Sequence, residues 1–308
     1  MELVWLIAPI GVLVVGLLYA WAPRYHENRA ERLLQKGRDR QAAQQFDKAL
    51  RIWTRRQGRT SLAAVPALAG LARIRFLQGM PDQGHALLDE ASRIVVAAPA
   101  KLSSRRLRAW LRVGQAALAA KRYAEASGFA ERAAAVAPRL FGYRDPVCGE
   151  VELLLADAYS GQEFFERALV HYECALQIFQ RAGGEDSAEC GAVFASMAAS
   201  LARQERWREA REAGLEAVEI LDQSDSARLP EALSALADLH ARRGRLAEAE
   251  GLRVSICHLR EKLGGHDSAA LAREYERRAE LLKAMERLTE ASYLMGKADK
   301  IRRAGVSA

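Results

Sequence analysis

The segment 123–133 reads YAEASGFAERA, and its pattern decides the fold of this 308-residue chain. The same pattern returns 42 residues later as FERALVHYECA at 165–175, and after 42 more as WREAREAGLEA at 207–217. In every copy an aromatic anchor stands three residues before one small residue and ten before a second. Because offsets of three and seven place side chains on one face of a helix, the pattern predicts a helix that another helix can approach closely.

This pattern keeps its register along most of the chain. The seven anchors are Asp39, Pro81, Tyr123, Phe165, Trp207, Leu246 and Leu288. Successive anchors are 42 residues apart, except for one interval of 39 between Trp207 and Leu246. Chance does not hold a register over so many copies, so the chain is predicted to be an array of seven repeats. We expect the three missing residues to lie between Gln223 and Pro230, where their loss shortens a loop.

Each anchor-bearing helix (helix B) is expected to follow an upstream helix (helix A), whose best copy contains Trp110, Val113, Gly114 and Ala117 on one face. A tight turn joins the two helices. Two residues before the anchor, this turn has glycine in three repeats and lysine or glutamate in four: Gly37, Gly79, Lys121, Glu163, Glu205, Gly244 and Glu286. The turn is therefore predicted not to require a positive φ in every repeat. A single hairpin cannot bury its apolar face, so neighbours must stack.

The third repeat resembles a known family. Eight of its residues are similar to the consensus of the tetratricopeptide repeat: Trp110, Val113, Gly114, Ala117, Tyr123, Ala126, Ala133 and Pro138. That repeat has about 34 residues, and the longer spacing here, with the linkers 141–147 and 263–268, is similar to the kinesin-light-chain subtype. The resemblance covers residues 24–304 and implies an all-α, right-handed superhelical solenoid of about seven helix-turn-helix repeats. Residues 305–308 then form a tail.

Residues 1–23 have a different character. From Leu3 to Ala22 the chain carries no charged side chain, and twenty helical residues span about 30 Å, the thickness of a bilayer's hydrocarbon core. Aromatic residues lie near both ends, as they do at membrane interfaces. We predict an N-terminal transmembrane anchor that precedes the solenoid. A cleaved signal peptide is the alternative, but this segment lacks a basic start, and proline follows its small-residue cleavage site.

Basic residues follow the predicted anchor and none precedes it: Arg24, Arg29, Arg32, Lys36, Arg38 and Arg40. The positive-inside rule then predicts a single-pass protein with its N-terminus outside and its repeats in the cytoplasm, in a bacterial inner membrane. The four cysteines have no paired spacing, which agrees with a reducing compartment. A periplasmic array remains the alternative.

The formal charge of +7 is unevenly distributed. Residues 51–122 hold fourteen basic and three acidic residues, a net charge of +11, whereas residues 123–190 have a net charge of −7. The basic stretch contains a predicted basic patch of Arg51, Arg55, Arg56, Arg59, Arg105, Arg106 and Arg112. Such a patch suits anionic lipid headgroups or an acidic partner, although a composition rich in arginine explains it equally well. With few aromatics among these arginines, nucleic acid is not an expected partner.

Residue patterns typical of catalysis are missing from the sequence. The six histidines are scattered along the chain, no CxxC pair occurs, and the glycine pairs lack the strand and helix of a phosphate loop. We therefore predict that the protein is not an enzyme and has no cofactor and no bound metal.

The resemblance implies a binding surface instead, because helices A of this family line a concave groove that holds a peptide. Carried over by position, the groove residues are Arg73, Phe76, Arg108, Leu111, Gln115, Glu150, Asp157, Arg203, Asp238 and Arg242, with Leu153, Ala195, Ala199, Ser234, Arg273, Glu276 and Glu280 as further candidates. The groove is expected to be polar, with small residues in the fifth repeat. The predicted function is a membrane-anchored scaffold or adaptor that binds a partner protein or peptide at the membrane surface. The alternative is a structural or assembly subunit of a bacterial envelope membrane complex.

Overall fold

The structure is a computed structural model that describes residues 22–99, 103–264 and 269–306. The predicted anchor, apart from its last residue Ala22, lies outside these ranges, as do residues 265–268 of the second family-like linker. Among the helices of the described residues, none is both long enough and apolar enough to cross a membrane.

The described residues form helices joined by short loops. In chain order these are α1 (residues 22–35), α2 (Asp39–Gln57), α3 (Val65–Leu77), α4 (Pro81–Ala97), α5 (Ser104–Ala119), α6 (Tyr123–Ala134), α7 (Ala137–Phe141), α8 (Pro146–Gly161), α9 (Phe165–Gly183), α10 (Ala188–Arg203), α11 (Trp207–Gln223), α12 (Leu229–Arg242), α13 (Leu246–Gly264), α14 (Ala269–Ala284) and α15 (Leu288–Val306). The last helix therefore continues into the predicted tail.

Every predicted anchor is the first residue of a helix B, which confirms the repeat register. The helices A are α1, α3, α5, α8, α10, α12 and α14; the helices B are α2, α4, α6, α9, α11, α13 and α15. The residues three and ten positions after each anchor are buried; in the third repeat, for example, Ala126 and Ala133 are fully buried. Helix A also relies on small residues, since a Cβ on Gly161 would lie 2.2 Å from the Tyr123 ring.

The prediction for the hairpin turn is wrong. All seven residues two positions before the anchors have a positive φ, including Lys121 at 58° and Glu163 at 68°. The cause is a Schellman motif at the end of each helix A. In the third repeat the Lys121 N–H donates to the Leu118 carbonyl at 2.9 Å, and the Arg122 N–H donates to Ala117 at 2.8 Å. These bonds satisfy helix-end carbonyls, so the lysine and glutamate side chains tolerate the left-handed conformation.

For the 39-residue interval the expected place is correct, since the residues are missing between Gln223 and Pro230, but the expectation that a loop is shortened is wrong. The linker 224–228 is one residue longer than the linker 184–187 of the preceding repeat. The three residues are lost from the helices, because α11 and α12 are each two residues shorter than their counterparts α9 and α10. The helix ends can shorten without moving the anchors, since the buried positions of α11 lie within its first fifteen residues.

The family-like linker at 141–147 has a defined structure. Asp145 is the N-cap of α8, where its side chain accepts a hydrogen bond from the Val147 N–H at 2.9 Å. The Cys148 thiol donates to the Gly142 carbonyl at 3.2 Å. Before this linker, the third helix B ends early at Ala134, and Pro138 lies in the first turn of the separate helix α7. Proline there lacks the N–H that a continuous helix needs.

The curvature of the array brings its two ends together. The Arg38 Nε donates to the Leu263 carbonyl at 3.1 Å, so the turn of the first repeat touches the end of α13. The neighbouring Asp39 carboxylate faces the N-terminus of α14 at Ala269 and Ala270. In the second repeat, the Arg302 guanidinium of α15 packs so closely on Gly79 that a Cβ there would lie 2.6 Å from it. The described repeats therefore form a closed ring.

The turn geometry predicts opposite effects for two glycine substitutions. A Cβ at Gly244 or at Gly251 would meet no atom within 4 Å, but Gly244 has a φ of +72° whereas Gly251 lies inside α13. We expect Gly244→Ala to lower the free energy of unfolding by about 1 kcal/mol, and Gly251→Ala to raise it by about 0.5–1 kcal/mol. Urea denaturation measures both changes. A stabilising Gly244→Ala would contradict the positive φ.

The ring closure predicts that a reversed charge at Asp39 opens the array. Asp39→Lys places a cation against Arg273 and the positive N-terminus of α14. The matched control is Asp82→Lys, which also puts a cation in the first turn of a helix B but lies exposed on α4. We expect small-angle X-ray scattering to give a larger radius of gyration for Asp39→Lys only. An unchanged radius for a variant that circular dichroism shows to be folded would count against closure.

Candidate binding site on the concave surface

A central cavity of about 490 Å³ lies inside the ring. All seven helices A of the described residues contribute to its lining, with Gln35, Arg73, Gln115, Asp157, Ala195, Glu231 and Arg273 as representatives in chain order. Ala192, Ala195 and Ser196 of α10 form the small-residue part that the sequence predicts for the fifth repeat. The concave surface is therefore a cavity that stays partly open to solvent, although the first and last repeats meet.

Where the first three helices A line the central cavity, the acidic and basic side chains form ion pairs. Glu31 of α1 accepts a hydrogen bond from Arg73 of α3 at 3.1 Å, and it lies 3.4 Å from Arg112 of α5. Burial acts to raise the pKa of Glu31, but Arg73 and Arg112 outweigh it and lower the pKa. Glu31 is thus an ionised bridge between three successive helices A, and it fixes the direction of both guanidinium groups.

The carboxyl groups deeper in the ring behave in the opposite way. Asp157 keeps some accessible surface toward the cavity but is enclosed by the repeats, and burial raises its pKa to about 6. Tyr172 donates a hydrogen bond to its Oδ1 at 2.8 Å, which lowers the pKa only in part. Burial likewise raises the pKa of Asp39 to about 6 despite the nearby Arg273. The cavity therefore holds carboxyl groups that are costly to ionise.

Two arginines that lie outside the helices A also line the central cavity. Arg228 precedes α12, and Arg260 comes from the end of α13. Arg260 lies 3.3 Å from Glu231, and its Nε has no hydrogen-bond acceptor among the described residues. Sequence reasoning missed both residues, because helix ends reach the cavity only through the curvature of the array and no local period marks them.

A buried ion-pair cluster in the last two repeats was also missed. Arg253 of α13 is 4% exposed and donates to Glu274 of α14 at 2.7 Å; it also bonds to Asp238 and to Ser234 of α12. The sequence does carry a signal for it. Arg253 stands seven residues after its anchor, a position that other repeats fill with buried groups such as Phe46, Leu88 and Tyr172. A charge at an apolar repeat position needs a buried partner.

The predicted groove residues divide into three groups. Arg73, Gln115 and Asp157 line the central cavity, as do the further candidates Leu153, Ala195 and Arg273. Arg108 lines a smaller cavity of about 80 Å³ next to it, which shares Glu31 and Arg112 with the central one. Glu150 lies within electrostatic reach of Arg112 and Arg228.

The remaining groove residues have structural partners instead. The prediction for Leu111 is wrong, since it is 4% exposed and belongs to the hydrophobic core of the first repeats. The Phe76 ring packs over Gly84, and Arg203 donates to the Ser160 carbonyl at 2.7 Å. Asp238 is paired with Arg253, and Arg242 is exposed at the end of α12. In these cases a shift of one helical position separates a groove-facing side chain from one that faces the neighbouring repeat.

The predicted basic patch does not form one continuous surface. Arg59 is paired with Glu90 at 2.6 Å, and Arg106 donates to the Ala98 and Pro99 carbonyls. Arg51 and Arg55 lie exposed on α2, and Arg56 is half-buried there. Arg105 and Arg112, together with Arg108, belong to the smaller cavity. The helices thus gather only part of the basic stretch into one site.

Within the described residues, no cluster of three or more histidine, cysteine, aspartate or glutamate side chains could hold a metal ion. The four cysteines are free; Cys148, Cys190 and Cys257 are buried, and Cys174 is exposed. Burial raises the pKa of each of these thiols, most of all that of Cys257, to about 12. Thiols with a raised pKa are poor nucleophiles, and the three buried cysteines pack in the interior.

The comparisons with known proteins agree with this architecture. Residues 149–223 match the tetratricopeptide repeat family. None of the curated proteins matches the chain. Among solved structures, BtubC (BKLC) from P. vanneervenii is 20% identical, with a TM-score of 0.53 over 80% of this chain and 92% of that one.

Two further solved structures have a similar fold. A structure of TPR-like repeats from a Podosopora anserina protein assigned as a kinesin light chain is 17% identical to this chain, with a TM-score of 0.51 over 66% of this chain and 97% of that one. A Rap protein in complex with competence and sporulation factor is 11% identical, with a TM-score of 0.52 over 92% and 98%.

The raised pKa of Asp157 predicts a specific pH dependence of stability. The folded chain holds this proton more tightly than the unfolded chain, because the pKa rises from an ordinary 3.8 to about 6. The stabilisation is complete below the unfolded pKa and is lost as the pH rises through about 6. Asp157→Asn keeps an acceptor for Tyr172 without ionising, so we expect it to raise the free energy of unfolding by about 1–2 kcal/mol at pH 8 and hardly at all at pH 4.

Urea denaturation at the two pH values measures this difference. The control is Asp222→Asn, which lies exposed on α11 and should leave the stability unchanged at both values. Equal stabilisation by Asp157→Asn at pH 4 and pH 8 would show that folding does not raise the pKa of the Asp157 carboxyl.

The family match and the similar solved structures show that the described chain has the all-helical solenoid fold of tetratricopeptide-repeat proteins. Its repeats are similar to those of kinesin light chains.

Proposed function

We propose that this protein is a membrane-anchored interaction scaffold whose concave surface binds a short segment of a partner protein. The observation that supports it most directly is the convergence of all seven helices A of the described residues on one cavity. A repeat array has no other place where side chains from every repeat meet one ligand. The Rap protein of the same fold, which was solved with its factor, illustrates such use of the fold.

The size of the cavity limits what it binds. About 490 Å³ lies within the roughly 300–1,000 Å³ range of pockets for small ligands, so the closed ring has room for a few residues and not for a folded domain. Mixed polar and charged walls favour a partner held by hydrogen bonds and ion pairs over one held by an apolar face.

The anchor is the second part of the proposal and rests on the sequence of residues 3–22. A twenty-residue uncharged segment directly before Arg24 confines the repeats to the membrane surface, on the cytoplasmic side by the positive-inside rule. Confinement raises the effective concentration of the repeats near a membrane-bound partner, so a modest intrinsic affinity is enough. We propose no catalytic step.

Capture of partners from solubilised membranes tests the scaffold function. Ala195→Lys adds bulk and charge to the small-residue part of the cavity, and Ala124→Lys makes the same change on the exposed surface of α6. We expect partners to be lost with Ala195→Lys and kept with Ala124→Lys. A set of partners that is the same for both variants would reject the concave surface as the binding site.

The alternative function, a structural subunit of an envelope complex, predicts a different result. Detergent extraction followed by size analysis then gives a stable stoichiometric assembly, whereas the scaffold gives the free chain with exchangeable partners. Deletion of residues 2–22, followed by membrane fractionation, tests the anchor, because an anchored chain leaves the membrane fraction on deletion.

A further inference from the structure

The smaller cavity of about 80 Å³ lies where α1, α2 and α5 meet. Its walls include the indole of Trp53, and its rim carries the guanidinium groups of Arg24, Arg105, Arg108 and Arg112, with the carboxyl of Glu27 between them. The Trp53 Nε1 donates to the Glu27 Oε1 at 2.7 Å, which fixes this carboxyl at the base of the rim. We call this site the rim cavity.

Positive charge in the rim cavity exceeds the negative charge that faces it. Glu31, the second carboxylate of the lining, is engaged by Arg73 as well as by Arg112. Arg105 has a neutral partner, Gln57, at 3.4 Å. In the described part of the chain, neither Arg24 nor Arg108 donates a side-chain hydrogen bond to a protein acceptor. The negative charge that compensates these four guanidinium groups is therefore mainly that of one carboxyl group, Glu27.

This crowding costs free energy that a bound anion would recover. Burial and the like charges of Arg24, Arg112 and Arg105 lower the pKa of Arg108, and Glu27 offsets them only partly. Arginines separated by empty space and held by a rigid helix pair are the usual arrangement for recognition of phosphate or carboxylate, since each guanidinium offers a fixed fork of donors. Arg24, Arg105 and Arg108 are exposed, and what distinguishes them from other solvated surface arginines is their placement around one cavity.

We propose that the rim cavity binds a tetrahedral oxyanion, most naturally a phosphate group, between Arg24, Arg105, Arg108 and Arg112. A volume of about 80 Å³ is several times the roughly 10–15 Å³ that one water requires, which suits a group of five heavy atoms. The site is separate from binding of a partner in the central cavity, and it stands or falls independently of the proposed function.

Two sources could supply the phosphate group. Arg24 follows the predicted anchor directly, so the headgroup of an anionic lipid would lie close to the rim cavity if residues 3–22 span the bilayer. A soluble phosphate ester is the other source. Both present the same oxyanion to the same four arginines.

Glu27 gives the site a pH dependence whose sign is fixed. Burial raises its pKa to about 7, even though Trp53 and the arginines Arg112, Arg24 and Arg108 all lower it. Above this pH its negative charge competes with a bound anion, and below it the carboxyl is neutral. Glu31 stays ionised across this range because its pKa is lowered. Anion affinity should therefore rise as the pH falls through about 7.

The test is a titration of the full chain in non-ionic detergent with sulfate, by isothermal calorimetry at about pH 6 and pH 8. Sulfate replaces a phosphate ester as the probe because a phosphate monoester itself titrates near pH 6. We expect binding that weakens by about tenfold in Arg108→Gln, where a charge-assisted contact is lost. Arg208→Gln, whose side chain is 91% exposed on α11, should bind as the wild type does.

Glu27→Gln distinguishes the assigned site from a general effect of charge. It should bind sulfate with one affinity at both pH values, whereas the wild type should bind more tightly at pH 6. To identify the source, the sulfate titration is repeated in nanodiscs. Competition by phosphatidylglycerol but not by phosphatidylcholine assigns the site to a lipid headgroup, and unchanged binding in both assigns it to a soluble phosphate ester.

Three results would overturn the proposal. These are no sulfate binding by the folded wild type, equal weakening by Arg108→Gln and Arg208→Gln, and a pH dependence that Glu27→Gln leaves intact. Circular dichroism of each variant verifies that a lost response is not a lost fold.

Discussion

The structure depends on a close approach of helices that only small side chains permit. In each hairpin, residues three and ten positions into helix B are buried against helix A, and glycines such as Gly161 leave room for the ring of an anchor. Larger side chains at these positions would separate the helices and remove the van der Waals contacts that hold the hairpin together. The same positions set the distance between successive repeats, so the curvature of the array follows from them.

Curvature in turn determines what the concave surface is. Each repeat adds a small rotation, and over the described repeats the rotations bring Arg38 and Asp39 to the ends of α13 and α14. An open groove becomes a partly enclosed cavity, in which carboxyl groups such as Asp157 lose water and their pKa values rise. The arginines of the rim cavity lie outside this enclosure but share Glu31 and Arg112 with it. The proposed partner site and the proposed anion site are therefore neighbours on one surface.

Much of the fold could be predicted because it is local. The offsets of three and seven from each anchor identify the buried face of helix B, and every anchor is indeed a helix start. The turn prediction is wrong because it infers φ from the type of residue in the turn. The Schellman hydrogen bonds instead impose the left-handed conformation on Lys121 and Glu163, as they do on Gly244. The interval of 39 was assigned to a loop because loops usually absorb deletions; here the helix ends shortened.

The resemblance to the tetratricopeptide repeat implied which helices form the concave surface, whereas the sequence by itself determined the repeat, its hairpins and the positions of the small residues. These properties follow from the periodicity of side chains along single helices, which needs no knowledge of the rest of the chain. Only the tertiary structure decided that the ring closes, that Leu111 is buried, that Arg228 and Arg260 reach the central cavity, and that the arginines of α1 and α5 gather around Glu27. The physical reason is that these contacts depend on summed rotations between repeats, which no local pattern records.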